Sequence, residues 1–265
     1  MYNFEYHRAA SLAEAEAALK AAADGKLMAG GQTLLPTLKL RLAQPSDVID
    51  IGRIAELSGI KVAGGKVTIG ATTRHAAVEA SAEIGKAIPA LAHLASVIGD
   101  PQVRNMGTLG GSIANADPAA DYPAAVVGLG ATITTTKRDI AADDFFKGLF
   151  ETALAEDEII KSVSFPVPEK AGYAKFAQPA SRFALVGVFI AKTSAGVRVA
   201  VTGAGASVFR VAAMEKALGG NFAASALDGI SIPADGLNAD IHGSAEYRAH
   251  LVGVMAKRAV DSANA

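Results

Sequence analysis

The stretch from Gly107 to Pro123, GTLGGSIANADPAADYP, sets the tightest limit on what this chain can fold into. Gly110 and Gly111 stand between the hydroxyls of Thr108 and Ser112, and Asn115, Asp117 and Asp121 follow within ten residues of the pair. Glycine lets the backbone approach a ligand closely and reach positive φ, and successive turned N–H groups make an anion-binding nest. Hydroxyls donate to phosphate oxygens, and a carboxylate accepts from ribose hydroxyls or a ring N–H. A second stretch, Ala29-Gly30-Gly31-Gln32-Thr33, repeats the same chemistry. A single glycine pair is equally well a tight turn joining strand to helix. Two pairs, one of them crowded by polar residues, point to a phosphate-bearing ligand held between two lobes, such as a dinucleotide.

The surroundings of each turn are legible. Ser11-Leu12-Ala13-Glu14 is a capping box, and Leu12, Ala15, Leu19 and Ala22 follow near helical spacing towards a C-cap at Gly25. Lys26 to Ala29 reads as a short strand entering the first glycine turn. Leu34 to Leu42 reads as a helix leaving it, with Pro36 in the permissive first turn, and Val48 to Ile51 as a second strand. Together they form a βαβ unit with an anion site at the helix start. The sequence GGQT matches neither GxGxxG nor GxxxxGK[ST], so Rossmann and P-loop readings fail on spacing.

Further along, Ile60–Ala63 and Lys66–Gly70 flank Gly64-Gly65 as a hairpin. Thr73 is placed to cap a helix through Ala80, and Ala87–Ile98 is a second helical stretch. The central motif follows as a loop after Gly99-Asp100-Pro101. Ala131–Thr136 alternates as a strand, Asp143–Phe146 turns into a short helix, and Glu158–Phe165 is a strand stopped by Pro166 and Pro168. In the last third, Leu185–Lys192 and Val197–Thr202 form a hairpin. Helices follow at Val211–Leu218 and Ala245–Val260, with loops at Gly219-Gly220 and Ser231–Gly243.

Composition removes several classes of function. With 25 basic against 26 acidic residues the net charge is −1, and no basic stripe invites nucleic acid. Without cysteine the chain holds neither disulfides nor thiolate-bound metal or iron–sulfur centres. The N-terminus lacks an apolar signal region and no run is long enough to span a membrane, so a soluble, cytoplasmic protein is expected. The five histidines are scattered, with no HxH or HExxH spacing, and no Ser sits in a GxSxG elbow. Asp117 and Asp121 could act as an acid–base pair, but no nucleophile, histidine or metal spacing accompanies them. Arg104 and Arg182 could meet phosphate or a partner's carboxylate, with solvated salt bridges as the plain alternative.

The pieces and their order carry a resemblance over essentially the whole length. YNFEYHRAASLAEAEAAL, AGGQTLLPTLKLRL, IGATT at Ile69–Thr73, RNMGTLGGSIANADPAADYP, DEIIKSVSFP and ASRFALVGV together resemble the medium, FAD-binding subunit of the molybdenum hydroxylases, the carbon monoxide dehydrogenase and xanthine dehydrogenase family. The resemblance implies an α+β, vanillyl-alcohol-oxidase-type FAD fold. An N-terminal βαβ lobe (residues 1–55) and a central α+β lobe (56–172) would clasp FAD. A C-terminal antiparallel sheet with helices (173–265) would approach the flavin ring.

Carried over by residue, Ala29, Gly30, Gly31, Gln32, Thr33 and Leu34 would wrap the pyrophosphate and adenine side. Thr108, Gly111 and Ser112 would hold phosphates, with Asn115 and Asp117 beside them. Asp121 would reach ribityl or adenosine hydroxyls, Ile160 would pack on adenine or ring, and Ala71 and Thr73 would add contacts. Gln178 and Phe183 would come near the ring. Thr33 stands where serine is usual, a hydroxyl-for-hydroxyl swap. Gln178-Pro179 stands in a region often basic in relatives, which puts charge tuning of the flavin there in doubt.

The same resemblance implies partners. A large subunit would carry molybdopterin, and a small subunit two [2Fe–2S] clusters, in a dimer of heterotrimers. Electrons would pass from molybdenum through the clusters to FAD and on to an acceptor. Two other readings stand beside this one: a self-contained FAD-dependent oxidase or reductase of a small molecule, and a nucleotide-binding assembly module without redox activity.

Overall fold

A computed structural model describes residues 1–265. The first lobe contains β1 (Glu5–Arg8), α1 (Leu12–Ala21), β2 (Gly25–Met28), α2 (Leu34–Lys39) and β3 (Asp47–Asp50). Its strands form a fully parallel sheet in the order β1-β3-β2. The expected β2–α2–β3 unit is present. β1 is additional: its residues are mostly exposed and carry no apolar alternation, and Tyr6 and His7 reach across to Asp50 and Asp47 at 2.6 Å each. The capping box forms, with Ser11 Oγ accepting from Glu14 N at 3.2 Å and Glu14 accepting from Ala10 N at 2.8 Å. Gly25 is not the C-cap; that position is Ala22. Gly25 opens β2, where a Cβ would meet Leu19 at 2.9 Å and Ile49 at 3.2 Å.

The central lobe opens with the hairpin β4 (Ile60–Ala63) and β5 (Lys66–Gly70), turned by Gly64 and Gly65 at φ 58° and 71°. Six short helices follow: α3 (His75–Ala80), α4 (Ala82–Ala87), α5 (Pro89–Ser96), α6 (Pro101–Met106), α7 (Leu109–Asn115) and α8 (Tyr122–Gly128). Next come β6 (Thr132–Thr135), β7 (Asp139–Ala141), α9 (Ala142–Phe145), the small hairpin β8 (Phe146–Gly148) and β9 (Glu151–Thr152), and β10 (Ile160–Pro166). The main sheet is antiparallel in the order β4-β5-β10-β6-β7. The central motif is therefore not a loop. Thr108 caps α7, whose Leu109 and Ile113 are fully buried, so tertiary anchoring overrides the poor helix propensity of two glycines.

The last sheet runs β11-β12-β13-β14, from β11 (Lys170–Ala177), β12 (Ala184–Thr193), β13 (Gly196–Thr202) and β14 (Phe209–Arg210). Two helices, α10 (Ala212–Gly220) and α11 (Ala245–Asn264), cover one face. β11 begins at Lys170, ahead of the border expected at 173. In β12 every residue from Ala184 to Ala191 is buried. Val188 and Ile190 join the core under α10 and α11, while Phe189 and Ala191 join the central core with α5 and α8. Two-sided cover explains the unbroken apolar run. Three cores result, of 28, 17 and 8 buried residues; the smallest, in the first lobe, is completed by Ile159 from the central lobe. No helix is long and apolar enough to cross a membrane.

Candidate functional site

The first and central lobes meet at the glycines. A Cβ built on Gly30 would lie 1.9 Å from the Met106 carbonyl oxygen and 3.0 Å from the Gly107 Cα, so only glycine allows this approach. Beside the contact opens a cavity of about 530 Å³, within the range of small-molecule sites. Both glycine segments line it, as do Ala71, Ile160 and the segment Ser181–Phe183.

The first wall is backbone. The successive residues Ala29, Gly30, Gly31, Gln32 and Thr33 all line the cavity, and none of their amides donates to an acceptor within the chain. Gly31 at φ 70° turns the run. Thr33 precedes α2 without capping it, so its hydroxyl is uncommitted as well. A row of free donors beside a cavity is suited to an anion such as a phosphate or pyrophosphate.

The second wall works differently. In α7 the amides of Leu109, Gly110 and Gly111 already donate to Thr73 O (3.1 Å), Ala71 O (2.8 Å) and Thr108 Oγ1 (3.2 Å). The expected glycine nest is therefore absent here, because helix capping and a close approach consume the donors. Gly110 is required by contact: its Cβ would stand 2.6 Å from Ala71 Cβ and 2.7 Å from Ala71 O. Polar capacity on this wall comes from the Ser112 hydroxyl and the Asn115 carboxamide, both on the cavity. Asp117 lies there too, with one carboxylate oxygen accepting from Ala119 N at 2.9 Å.

Three expected residues stand elsewhere or are otherwise engaged. Thr73 is buried off the cavity, and its hydroxyl bridges Gly59 N (2.9 Å) and Gly59 O (3.1 Å), where it ties α3 to the hairpin root. Gln178 is also off the cavity: its carboxamide oxygen accepts from Ala180 N (2.6 Å) and Ser181 N (2.7 Å), shaping the loop that presents Phe183. Asp121 edges the cavity but is 4 % exposed and bound by Tyr173 Oη at 2.5 Å and Lys175 Nζ at 2.9 Å. Burial pushes its carboxyl up, and Lys175 and Tyr173 pull it back in part. With both oxygens engaged, Asp121 fastens the central lobe to the C-terminal sheet from the edge of the cavity.

Other cavity residues carried no sequence signal. His75 reaches the wall from the start of α3, buried, with Nδ1 lacking a partner and its ring 5.3 Å from that of Tyr122. Burial, with Arg104 nearby, lowers its pKa to about 4, so it is neutral in ordinary buffers. Glu158 is buried beside the cavity. Burial alone would raise its pKa, but hydrogen bonds from Arg138, Thr135 and the Ala155 amide outweigh this and leave it at about 2. Ile98, Val103, Leu154 and Ile159 supply apolar lining. A lone histidine and separated aliphatic residues carry no spacing that identifies them beforehand.

Residues 2–168 match the family of the FAD binding domain in molybdopterin dehydrogenase. The chain belongs to that family. Relatives extend the match beyond the FAD-binding domain. The nicotine 6-hydroxylase medium subunit of Paenarthrobacter nicotinovorans is 37% identical, with 98% of this chain and 97% of that one aligned. The carbon monoxide dehydrogenase medium chain of Afipia carboxidovorans is 34% identical over 99% of this chain and 97% of that one. Among solved structures, carbon monoxide dehydrogenase from Hydrogenophaga pseudoflava, lacking the Mo-pyranopterin moiety of its cofactor, aligns at TM-score 0.88. The identity there is 37%, covering 99% of this chain and 97% of that chain.

The residues present fit the family's cofactor. The free amides of Ala29–Thr33 suit a pyrophosphate, the polar groups of Ser112 and Asn115 face the same space, and Ile159, Ile160 and Leu154 suit flat ring surfaces. At Gly111 a Cβ would meet only Thr108 Oγ1, at 2.9 Å, so the missing side chain leaves the wall open on the cavity side. As a member of the family, this chain is an FAD-binding subunit of a molybdenum-containing oxidoreductase.

Proposed function

We propose that this chain is the electron-transfer subunit of a heteromeric molybdenum hydroxylase, built on a vanillyl-alcohol-oxidase-type fold in which residues 1–55 and 56–172 clasp FAD. The observation that carries the reading is the row of unpartnered amides from Ala29 to Thr33 on a cavity between two lobes. When bound, FAD supplies the redox chemistry, taking electrons from [2Fe–2S] clusters of a small partner subunit and passing them to an external acceptor. The protein supplies the rest. Ala29–Thr33 hold the pyrophosphate, Ser112 and Asn115 orient it from the opposite wall, and Ile159 and Ile160 exclude water. Residues 173–265 position Phe183 on the rim. A large molybdopterin subunit completes the complex, as a dimer of heterotrimers. Substrate choice then lies on that partner, as relatives acting on carbon monoxide and on nicotine suggest.

The test is a visible absorption spectrum of the purified chain, alone and co-expressed with candidate partners. Flavin bands that bleach with dithionite, FAD released on denaturation, and iron–sulfur absorption only on co-purification are the expected results. A chain that stays colourless with FAD added and partners present would sink the reading.

A further inference from the structure

The loop Gln178–Phe183 brings Ser181, Arg182 and Phe183 to one rim of the cavity, yet little holds it in place. Its bonds are largely internal: Gln178 N donates to Phe183 O at 2.9 Å, Arg182 N donates to Gln178 O at 2.8 Å, and the Gln178 carboxamide closes the turn. Arg182 sits at φ 62°, a left-handed conformation that a non-glycine residue keeps only where its surroundings impose it. Outside itself, the segment has a long Gln178–His242 contact at 3.5 Å and one short bond, from Lys175 Nζ to the Arg182 carbonyl oxygen at 2.8 Å.

Lys175 does more than make that bond. Its ammonium also donates to both oxygens of Asp121, at 2.9 and 3.1 Å, and the two side chains are 6 % and 4 % exposed. Asp121 stands at the start of α8 in the central lobe, and Tyr173 from β11 donates to it at 2.5 Å. One buried cation thus joins the central lobe, the C-terminal sheet and the carbonyl of the strained residue on the rim. A bond to a charged group inside the protein is strong, and its loss leaves a buried carboxylate unpaired.

We propose that Lys175 is a positioning residue for the cofactor cavity, clamping the 178–183 segment against the central lobe through Asp121 so that Ser181, Arg182 and Phe183 form its rim. The inference rests on the cavity being the FAD site. Beyond the two bonds to Asp121, the ammonium's remaining donor is what holds the Arg182 carbonyl. That carbonyl also belongs to the peptide bond that trypsin cleaves after arginine, so protease access reports the clamp directly.

The experiment is limited trypsinolysis of the full chain with and without FAD, followed by mass spectrometry of cleavage at Arg182–Phe183, beside titration of FAD. In Lys175→Met, cleavage of that bond without FAD should rise about ten-fold or more, the factor set by losing one charge-assisted hydrogen bond, while sites elsewhere keep their wild-type rates. FAD affinity should fall by a similar factor, and wild-type FAD binding should slow cleavage there. If Lys175→Met does not fold, Asp121→Asn/Lys175→Met removes both buried charges and is expected to show the same local cleavage. Wild-type cleavage rates in a folded variant, or equal FAD affinity in variant and wild type, would overturn the proposal. A wild-type chain that binds no FAD would defeat the proposed function, and the cleavage rates without FAD would still decide whether Lys175 clamps the rim.

Discussion

The two glycine pairs look alike in the sequence and do opposite work in the fold. Around Gly30-Gly31 the backbone leaves regular structure: Gly31 is left-handed, and the amides of Ala29 to Thr33 keep their donors free. Around Gly110-Gly111 the backbone is an ordinary helix, capped by Thr108, with its first amides consumed. One pair makes a donor row; the other lets α7 press on Ala71 and leaves its outer surface bare. A glycine pair beside hydroxyls therefore states that something comes close, without stating whether it is a ligand or the chain itself.

Removing that closeness gives the largest expected effect. In Gly30→Ala the new methyl meets the Met106 carbonyl, a backbone group that cannot swing aside. The cost should be about 3 kcal/mol of stability, read as a fall in the urea midpoint. Because the contact also sets the spacing of the two walls, FAD affinity should drop roughly 100-fold, equivalent to a further ~3 kcal/mol. Gly110→Ala meets Ala71 on both its Cβ and its carbonyl oxygen and belongs in the same class. If Gly30→Ala bound FAD normally, the meeting of the lobes would have no part in the site.

The central-lobe side of the cavity carries a pH signature. His75 packs behind it, where a Cβ on Gly107 would lie 2.7 Å from its Nε2. Its pKa falls from 6.5 to about 4 on folding, through burial first and Arg104 second. The unfolded chain therefore binds the proton more readily, and stability is lost as pH falls from about 6.5 towards 4. The loss amounts to ~3 kcal/mol by the linkage relation, and below that window it is constant. His75→Gln should flatten the slope of unfolding free energy between those pH values. Glu158 acts in a lower window, its contribution fading as pH falls from about 4.5 through about 2. An unchanged slope in His75→Gln would mean that the imidazole titrates alike in both states.

The same contrast explains what was legible in the sequence. The β4–β5 and β12–β13 hairpins were readable because alternation and turn glycines agree with the final structure. β1 was not, because its stability comes from Tyr6 and His7 reaching Asp50 and Asp47 forty-odd residues away. The helix α7 was hidden because its two glycines argue against helix, while the burial of Leu109 and Ile113 is a tertiary fact. Among candidate site residues, the backbone-driven group Ala29–Leu34 lands on the cavity, since a glycine turn announces backbone exposure. Thr73, Asp121 and Gln178 were expected as cofactor contacts from the resemblance, and in the fold each has a partner inside the chain.

Gly31→Ala sharpens the comparison at smaller cost. A φ of 70° is unfavourable for alanine by about 1–2 kcal/mol, and the methyl would press on the flexible end of Leu35 at 2.9 Å. Gly31→Asn should lose less, because asparagine tolerates the left-handed region better. Equal unfolding free energies for the two variants would show that the turn, rather than its φ, sets the cost.

Gly111→Ala has the smallest expected effect on the fold and separates ligand from scaffold most cleanly. Its φ is helical, and the only neighbour of a new methyl is Thr108 Oγ1 at 2.9 Å. Helix propensity favours alanine over glycine by about 1 kcal/mol, which offsets the crowding of the cap, so stability should stay within ~1 kcal/mol of wild type. The methyl nevertheless grows from a wall of the cavity, so FAD affinity should fall about ten-fold, or ~1.4 kcal/mol. A loss of affinity without a loss of stability can come only from occupied space beside Gly111. Unchanged affinity, set against a large loss in Gly30→Ala, would leave the Ala29–Thr33 amides as the sole phosphate contacts and reduce the second glycine pair to helix packing.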